Sequence, residues 1–446
     1  MNSSAADTSG DQGARRARAV DRLAGHLRVP LFRTAYALIL SNVLTSVLGL
    51  VYWVVGARLY SPDAVGVNAA LISTMTFLSG VSQLNLRTAL NRFIPEAGSG
   101  VGKLISVAYA ITIPISVAVV AIFVLTVELW APDSPVAVVS KDFVLLGWFM
   151  VATASWGIFN MQDGVLTGLQ RPLVIPFENL IFAVAKLILL VLLAGFASQY
   201  GIFTSWSVPQ LIAVLLVTFW ILRHAVPRAV AASGGKMPQL APRDIVRFVA
   251  TDYFAALLVL AYVSLLPVLV ISAVGSQTGA YFYIVWTIAT SLNLVPLSLS
   301  ISQTVESVAV GGDPFVQARA VLAHLVKVIG PVVVLIVIGA PWLLAVFGPG
   351  YAEAGTDLLR LMALGVVPYG VNVVYFGLAR VRRQLRGVVL SQAFLAVATP
   401  AIALTLLPHV GLTGVGIAWL TSQAIVSGIV LATALRPAIV GTPQPR

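Results

Sequence analysis

The sequence predicts an all-α polytopic membrane protein with about twelve transmembrane helices, because its apolar runs have spanning length. Residues of the AVILMFWYC set make up 59% of the 446 residues and charged residues only 10%, whereas soluble domains carry about 25% charged residues. The apolar runs are long and continuous rather than alternating. In lipid this pattern indicates helices, which satisfy their own backbone hydrogen bonds, and argues against a closed β-barrel.

Twelve apolar segments are long enough to cross a bilayer. Each is about 20 residues or more, which matches a hydrocarbon core of about 30 Å at 1.5 Å per residue. The predicted spans are 35–56, 66–94, 104–127, 142–168, 172–196, 201–222, 248–273, 279–305, 322–347, 357–379, 387–407 and 411–435.

The distribution of positive charge predicts the orientation. With both termini and the even-numbered connections in the cytoplasm, 23 of the 27 lysines and arginines lie on the cytoplasmic side. Only Arg58, Lys141 and Arg360 then lie outside, and Lys186 falls within a span. Cytoplasmic loops are enriched in Lys and Arg, so the pattern predicts N-in and C-in, and it accounts for the net charge of +11.

Two groups of six spans are separated by a longer connection. Residues 223–247 contain Pro227, Pro238 and Pro242 and read as a linker. The predicted organisation is a basic cytoplasmic N-terminal tail 1–30, a six-helix bundle 31–222, the cytoplasmic linker 223–247, a second six-helix bundle 248–436 and a cytoplasmic tail 437–446. Within the first tail, residues 14–28 suit either an amphipathic helix on an anionic leaflet or a disordered basic segment.

Weak internal similarity follows the same division. TGLQR at 167–171 matches FGLAR at 376–380, and Gly66 and Gly201 correspond to Gly279 and Gly411, all at offsets of 209 to 213 residues. Parallel repeats of this kind occur in secondary transporters, with the substrate path between the halves. The alternative is coincidence among small residues in apolar helices.

Composition also argues against several kinds of site. The chain has no cysteine and only four scattered histidines, so a thiol nucleophile, a disulfide or a zinc site is not expected. We predict no cofactor, metal ion or catalytic residue, and no nucleic-acid partner.

Three segments resemble a known family. YWVVGARLYSPDAVGVNAALIS (52–73), LLRLMALGVVPYGVNVVYFGLARVRRQ (358–384) and GLTGVGIAWLTSQ (411–423) are similar to oligosaccharide-lipid flippases of the multidrug/oligosaccharidyl-lipid/polysaccharide (MOP) exporter superfamily. The resemblance implies two six-helix bundles around a central cavity that opens alternately to each side. It also implies a bacterial cytoplasmic membrane and a polyprenyl-diphosphate-linked sugar as substrate.

Polar residues in the second span predict a binding surface. Ser79, Gln83, Arg87 and Asn91 recur every four residues and would form one stripe, with Arg92 adjacent. Intramembrane charges usually face a cavity or a partner. We therefore expect an anionic headgroup to bind here; the alternative is that both arginines extend to the cytoplasmic interface.

Ionisable residues in other spans predict further contacts. Glu178 and Lys186 share one face of the fifth span, about 12 Å apart along its axis. Lys186 is a candidate substrate ligand or half of an ion pair with another helix, and Glu178 is a candidate coupling residue. Asp252 is either a gate or coupling residue or an acid at a helix N-terminus. Asn42 is a candidate sugar ligand or an interhelical hydrogen-bonding residue.

The predicted function is translocation of a lipid-linked oligosaccharide by alternating access, for cell-surface polysaccharide biosynthesis. Its predicted partners are the saccharide substrate, membrane lipids and the glycosyltransferases or polymerases of the same pathway. Alternatives are a MATE-type cation antiporter and a membrane-embedded polymerase or ligase. An enzyme is disfavoured because it would need a sizeable outer loop to carry acids or bases, and the longest outer loop covers only residues 128–141. A major-facilitator transporter is disfavoured because its acidic, glycine-rich motif between the second and third spans is missing; residues 91–103 read NRFIPEAGSGVGK.

Reporter fusions test the orientation. Because positive charge is retained in the cytoplasm, fusions after Arg223 and Arg436 should report a cytoplasmic location, and fusions near Asp133 and Gly355 an external one. The location of each site is measured with a pair of fusions, one to alkaline phosphatase and one to green fluorescent protein. A reversed result at one of these four sites would contradict the twelve-span topology.

Overall fold

A computed structural model describes residues 30–197, 199–234, 242–300, 314–382 and 384–436, with the backbone alone for 30–43, 242, 251, 252, 255 and 314. The described residues are helical, with no strand among them. The twelve long helices are α1 Pro30–Leu59, α2 Pro62–Ser82, α3 Val101–Trp130, α4 Phe143–Gly168, α5 Val174–Leu193, α6 Gly201–Trp220, α7 Pro242–Leu260, α8 Ser276–Leu292, α9 Pro314–Ala345, α10 Pro349–Val381, α11 Arg386–Val410 and α12 Thr413–Ala432.

Eleven of these helical segments are long and apolar enough to cross a membrane, and α1 contributes the apolar segment Leu44–Leu59. Large apolar side chains such as Leu125, Leu335 and Leu390 are 70–78% exposed on the outside of the molecule. In water such a surface would be unfavourable, whereas lipid solvates it. The predicted all-α fold with about twelve transmembrane helices is confirmed.

Local capping explains where individual helices begin. Ser61 accepts a hydrogen bond from the Ala64 amide at 3.2 Å, and Pro62 occupies the first turn of α2. Asp142 accepts from the Val144 and Leu145 amides at 2.8 and 3.1 Å at the start of α4. Each side chain satisfies amides that a helix N-terminus leaves without partners.

The second span is shorter than the sequence predicts. Residues Leu84 and Asn85 adopt positive φ values of 53° and 54°, so α2 ends at Ser82 and a separate short helix covers Leu86–Phe93. Asparagine tolerates this left-handed conformation better than most residues. The prediction of one continuous polar stripe was therefore wrong, because the break divides Ser79 and Gln83 from Arg87 and Asn91.

The predicted linker 223–247 is helical at both ends. Helix α6 continues through a π-helical turn, Ile221–Ala225, into the helix Val226–Ala232, and α7 begins at Pro242. Helix α7 likewise continues through a π-helical turn, Ala261–Leu265, to Val274. Residues 235–241, both predicted tails except residue 30, and the proposed amphipathic segment 14–28 lie outside the described residues.

The helices pack as two groups, called here the N-terminal half (30–234) and the C-terminal half (242–436). In the first half, α4 packs against α2, α3 and α6, and α5 packs against α1 and α6. In the second, α10 packs against α8, α9 and α12. The halves meet mainly where α2 lies along α7 and α8.

The contact between α2 and α8 includes a hydrogen bond between the two halves. The Ser276 hydroxyl donates to the Asp63 carboxylate, and these residues are 213 positions apart, the offset that the predicted internal repeat gives for Gly66 and Gly279. The bond joins the starts of α2 and α8.

Polar contacts join the two halves at the end where α1 ends and α2 begins, called the outer contact. The Arg58 guanidinium donates to the Val346 and Ala345 carbonyls at 2.8 and 2.9 Å, where α9 ends. The hydroxyls of Ser134 and Ser272 lie 2.7 Å apart and share a hydrogen bond. Such hydrogen bonds can exchange with water when the halves separate, whereas the buried apolar residues around them, such as Val136 and Ile271, would become exposed.

Removing Arg58 should favour separation of the halves at the outer contact. Hydrogen bonds from a charged donor contribute about 1.5–3 kcal/mol each, so even partial loss should raise the open-to-closed ratio about tenfold in Arg58→Ala. The chain has no cysteine, so spin labels at Asp133→Cys and Glu353→Cys report the distance between the halves by pulsed dipolar spectroscopy.

Arg360→Ala is the matched control, because Arg360 donates to the Val337 carbonyl of α9 from within the C-terminal half. The control should leave the distance distribution unchanged. An unaltered distribution in Arg58→Ala, or an equal shift in both variants, would show that the Arg58 contacts do not hold the halves together.

Candidate functional site

Aromatic and cationic side chains join the halves at the other end of α2, called the inner contact. The Arg92 guanidinium lies 4.8 Å from the centre of the Phe248 ring, and the Phe93 and Phe248 rings meet edge to face at 5.5 Å. The Tyr253 hydroxyl donates to the Val81 carbonyl at 2.7 Å. The short helix Leu86–Phe93 is thereby held against α7, and its polar face remains exposed.

Arg87 lies on that short helix and pairs with Asp163 of α4. One guanidinium nitrogen is 3.0 Å from a carboxylate oxygen, and the side chains are 52% and 21% exposed. Gly164 permits this arrangement, because a Cβ there would meet the backbone carbonyl of Arg87. Sequence reasoning missed Asp163, although an acid within the predicted fourth span was the signal that could have found it.

Lys186 of α5 is enclosed in the N-terminal half. It is 5% exposed, and its ammonium nitrogen lies 3.7 Å from the centre of the Trp206 ring, 4.7 Å from that of Tyr52 and 5.1 Å from that of Phe182. Among the described residues, no carboxylate lies within ion-pair distance of this ammonium. The lysine therefore interacts with π faces instead of a counter-ion.

The energetics explain why the rings are needed. An isolated buried charge costs many kcal/mol, whereas a desolvated cation–π contact contributes about 2 kcal/mol or more. Three rings from α1, α5 and α6 thus offset part of the lost hydration. The ammonium is covered in this conformation. The prediction that Lys186 is a substrate ligand requires the ammonium to line an open cavity, and in this conformation it does not.

The rings around Lys186 belong to a larger group, called the aromatic cluster: Tyr52, Trp53, Trp156, Phe159, Phe182 and Trp206. Its edge reaches the other half, because the Trp53 ring meets the Tyr283 ring of α8 at 4.9 Å. The Tyr52 hydroxyl donates to the Ile202 carbonyl at 2.8 Å and lies 2.8 Å from the Ser205 hydroxyl. These bonds fix the Tyr52 ring independently of the lysine.

Glu178 lies two turns before Lys186 in α5. It is 6% exposed, and neither carboxylate oxygen has a hydrogen-bond partner among the described residues. Intramembrane carboxyl groups are often sites for a proton or a cation.

The other predicted residues are exposed, partly buried or outside the described side chains. Asn91 and Arg92 are exposed on the short helix, and the Gln83 amide nitrogen is buried with no hydrogen-bond partner among the described residues. Asn42 lies in α1 and Asp252 in α7, but their side chains lie outside the described residues. The structure thus brings Arg87 and Arg92 together on one short helix and places Lys186 and Glu178 inside the N-terminal half.

No family model matches the chain, and no match was found among curated proteins. Among solved structures, it is similar to an inward-facing multidrug-resistance MATE transporter of the MOP superfamily, with a TM-score of 0.70, 12% identity, and coverage of 90% of this chain and 96% of the other.

Two further solved structures are similar. The lipid II flippase MurJ in an inward closed conformation has a TM-score of 0.66 at 13% identity, covering 89% of this chain and 86% of MurJ. A MOP-superfamily transporter from Pyrococcus furiosus, described as having a binding pocket of reversed polarity, has a TM-score of 0.56 at 12% identity, covering 91% and 96% of the two chains. The chain therefore has the fold of the MOP-superfamily transporters.

Proposed function

We propose that this protein is a flippase that moves a polyprenyl-diphosphate-linked oligosaccharide across the cytoplasmic membrane of a bacterium by alternating access. The observation that carries the proposal is the pair of exposed guanidinium groups, Arg87 and Arg92, on the short helix at the inner contact. This helix lies between the halves, where a headgroup has to enter.

A diphosphate headgroup needs cationic contacts to enter a site of low dielectric. An unpaired phosphate charge there loses its hydration, and Coulomb attraction strengthens as the effective dielectric constant falls. A guanidinium binds phosphate oxygens with two parallel hydrogen bonds. Because Asp163 already pairs with Arg87, the phosphate exchanges with an internal carboxylate, which weakens net binding and favours release on the other side.

The connections at the outer end support a transporter rather than an enzyme. Helices α1 and α2 are separated by residues 60–61, α9 and α10 by 346–348, and α11 and α12 by 411–412. A polymerase or ligase needs a larger outer segment to carry its acids and bases. One structural neighbour is described as a lipid II flippase, which supports a lipid-linked substrate.

Other parts of the proposal rest on the sequence. Gln83, Asn91 and Asn42 are proposed to contact the sugar. Lys186 contacts the headgroup in this scheme only if its ammonium leaves the rings. Both termini are proposed to face the cytoplasm, and the partners are the glycosyltransferases or polymerases of the same polysaccharide pathway.

A cation antiporter of the MATE type is the second candidate. The aromatic cluster, the buried carboxyl of Glu178 and the partly exposed carboxylate of Asp163 favour it, because π faces and carboxylates recognise organic cations. Six structural neighbours are described as MATE. The ammonium of Lys186 within those rings disfavours it.

Removing the Arg87 guanidinium should lower flipping of a polyprenyl-diphosphate saccharide. A charge-assisted contact contributes about 1.5–3 kcal/mol, so Arg87→Ala should lose roughly tenfold to a hundredfold in rate. Arg87→Lys should be partly active, because lysine retains the charge but lacks the paired hydrogen-bond donors of the guanidinium. Arg92→Ala should lower the flipping rate less than Arg87→Ala does. The measurement uses proteoliposomes and a fluorescent polyprenyl-diphosphate saccharide.

Arg223→Ala is the control, because Arg223 is exposed on the π-helical turn after α6. It should flip normally. If the unaltered protein moves an organic cation but not the lipid-linked saccharide, the antiporter is the better function. If it flips the saccharide and Arg87→Ala does so at the same rate, Arg87 is not a substrate contact.

Glu178 and Asp252 are proposed to couple transport to a proton or cation. Glu178→Gln and Asp252→Asn each remove one ionisable carboxyl, so each should slow transport and reduce its response to an imposed pH or sodium gradient. Flipping rates with and without each gradient give the measurement. If both variants respond to the gradients like the unaltered protein, membrane potential alone is the better driving force.

A further inference from the structure

The rings around Lys186 have the arrangement of a binding site for an organic ammonium ion. Tyr52, Phe182 and Trp206 come from α1, α5 and α6, and their ring centres lie 3.7–5.1 Å from the ammonium nitrogen. Alkylammonium recognition uses such aromatic cages. Here the occupant of the cage is a side chain of the same protein.

The cage is preorganised by groups other than the lysine. Hydrogen bonds to the Ile202 carbonyl and with the Ser205 hydroxyl orient the Tyr52 ring. The Trp206 ring packs against Trp53 and Trp156 at 6.4 and 5.9 Å. The rings are therefore expected to keep their positions when the lysine side chain is shortened.

The lysine also has no alternative electrostatic partner nearby. No described carboxylate is within ion-pair distance, and Glu178 on the same helix is about 12 Å away along the axis. The attraction that holds the ammonium is therefore that of the rings. A tethered group binds with a high effective concentration, so a free cation competes poorly with it.

We infer that Lys186 occupies an organic-ammonium site as a built-in ligand and thereby excludes free alkylammonium ions from the N-terminal half. The residue is a specificity determinant: it fills with its own charge a cage that would otherwise bind organic cations. This inference concerns binding to the protein and holds whichever substrate is transported.

Purified full-length protein in lipid nanodiscs tests the inference. Lys186→Ala removes three carbons and the nitrogen, which n-propylammonium replaces, and 1-propanol is a neutral probe of the same size. Titrations are followed by tryptophan fluorescence and thermal stability. We expect Lys186→Ala to bind n-propylammonium at least tenfold more tightly than 1-propanol. The unaltered protein and Lys186→Met, in which the cage is filled, should bind neither.

Trp206→Leu in the Lys186→Ala background should weaken n-propylammonium binding at least tenfold, because it removes the nearest ring. Equal binding of both probes to Lys186→Ala, no binding, or equal n-propylammonium binding by the unaltered protein would overturn the inference. If Lys186→Ala does not accumulate, it is expressed and extracted with each probe present. If Lys186→Ala protein is recovered only in the presence of n-propylammonium, the inference is supported. If it is recovered with both probes or with neither, the inference is overturned.

Discussion

The close approach of α2 and α8 is the constraint on which the arrangement of the two halves depends. A Cβ at Gly66 would collide with the Ser276 carbonyl, so the contact requires a residue without a side chain at this position. The same helix contacts α7 near Val81. Helix α2 thus contacts the C-terminal half near both of its ends.

Charge in the N-terminal half is arranged according to how each group loses water. Arg87 keeps partial exposure and a carboxylate partner, whereas Lys186 loses almost all its exposure and gains π faces. Glu178 has neither arrangement, since its buried oxygens have no partner among the described residues. These groups therefore differ in what compensates for the lost hydration: a carboxylate for Arg87, π faces for Lys186 and no described partner for Glu178.

Hydropathy predicted the fold well because lipid leaves the backbone few alternatives to helices. The all-α fold and the approximate positions of the spans followed from the apolar runs, whereas the equivalence of Gly66 with Gly279 stays a prediction. The break at Leu84 and Asn85 did not follow from the apolar runs, because a left-handed backbone conformation at two residues decides it and hydropathy does not encode that conformation. The site was predicted only in part: intramembrane charge identified Lys186 and Glu178, but their partners depend on tertiary packing. Asp163 and the rings of Tyr52 and Trp206 are far from Arg87 and Lys186 in sequence, so spacing alone did not reveal these contacts.

The aromatic cluster connects a fixed charge to the moving interface. Trp53 contacts Tyr52 and Trp206 on one side and Tyr283 of the C-terminal half on the other. Aromatic contacts of this kind add about 0.5–1.5 kcal/mol beyond area burial, so separating the halves at Tyr283 changes the packing of Trp53 against the two rings. The cage around Lys186 is thus one ring removed from the contact between the halves, so a change in that contact alters the packing of the rings that surround the ammonium.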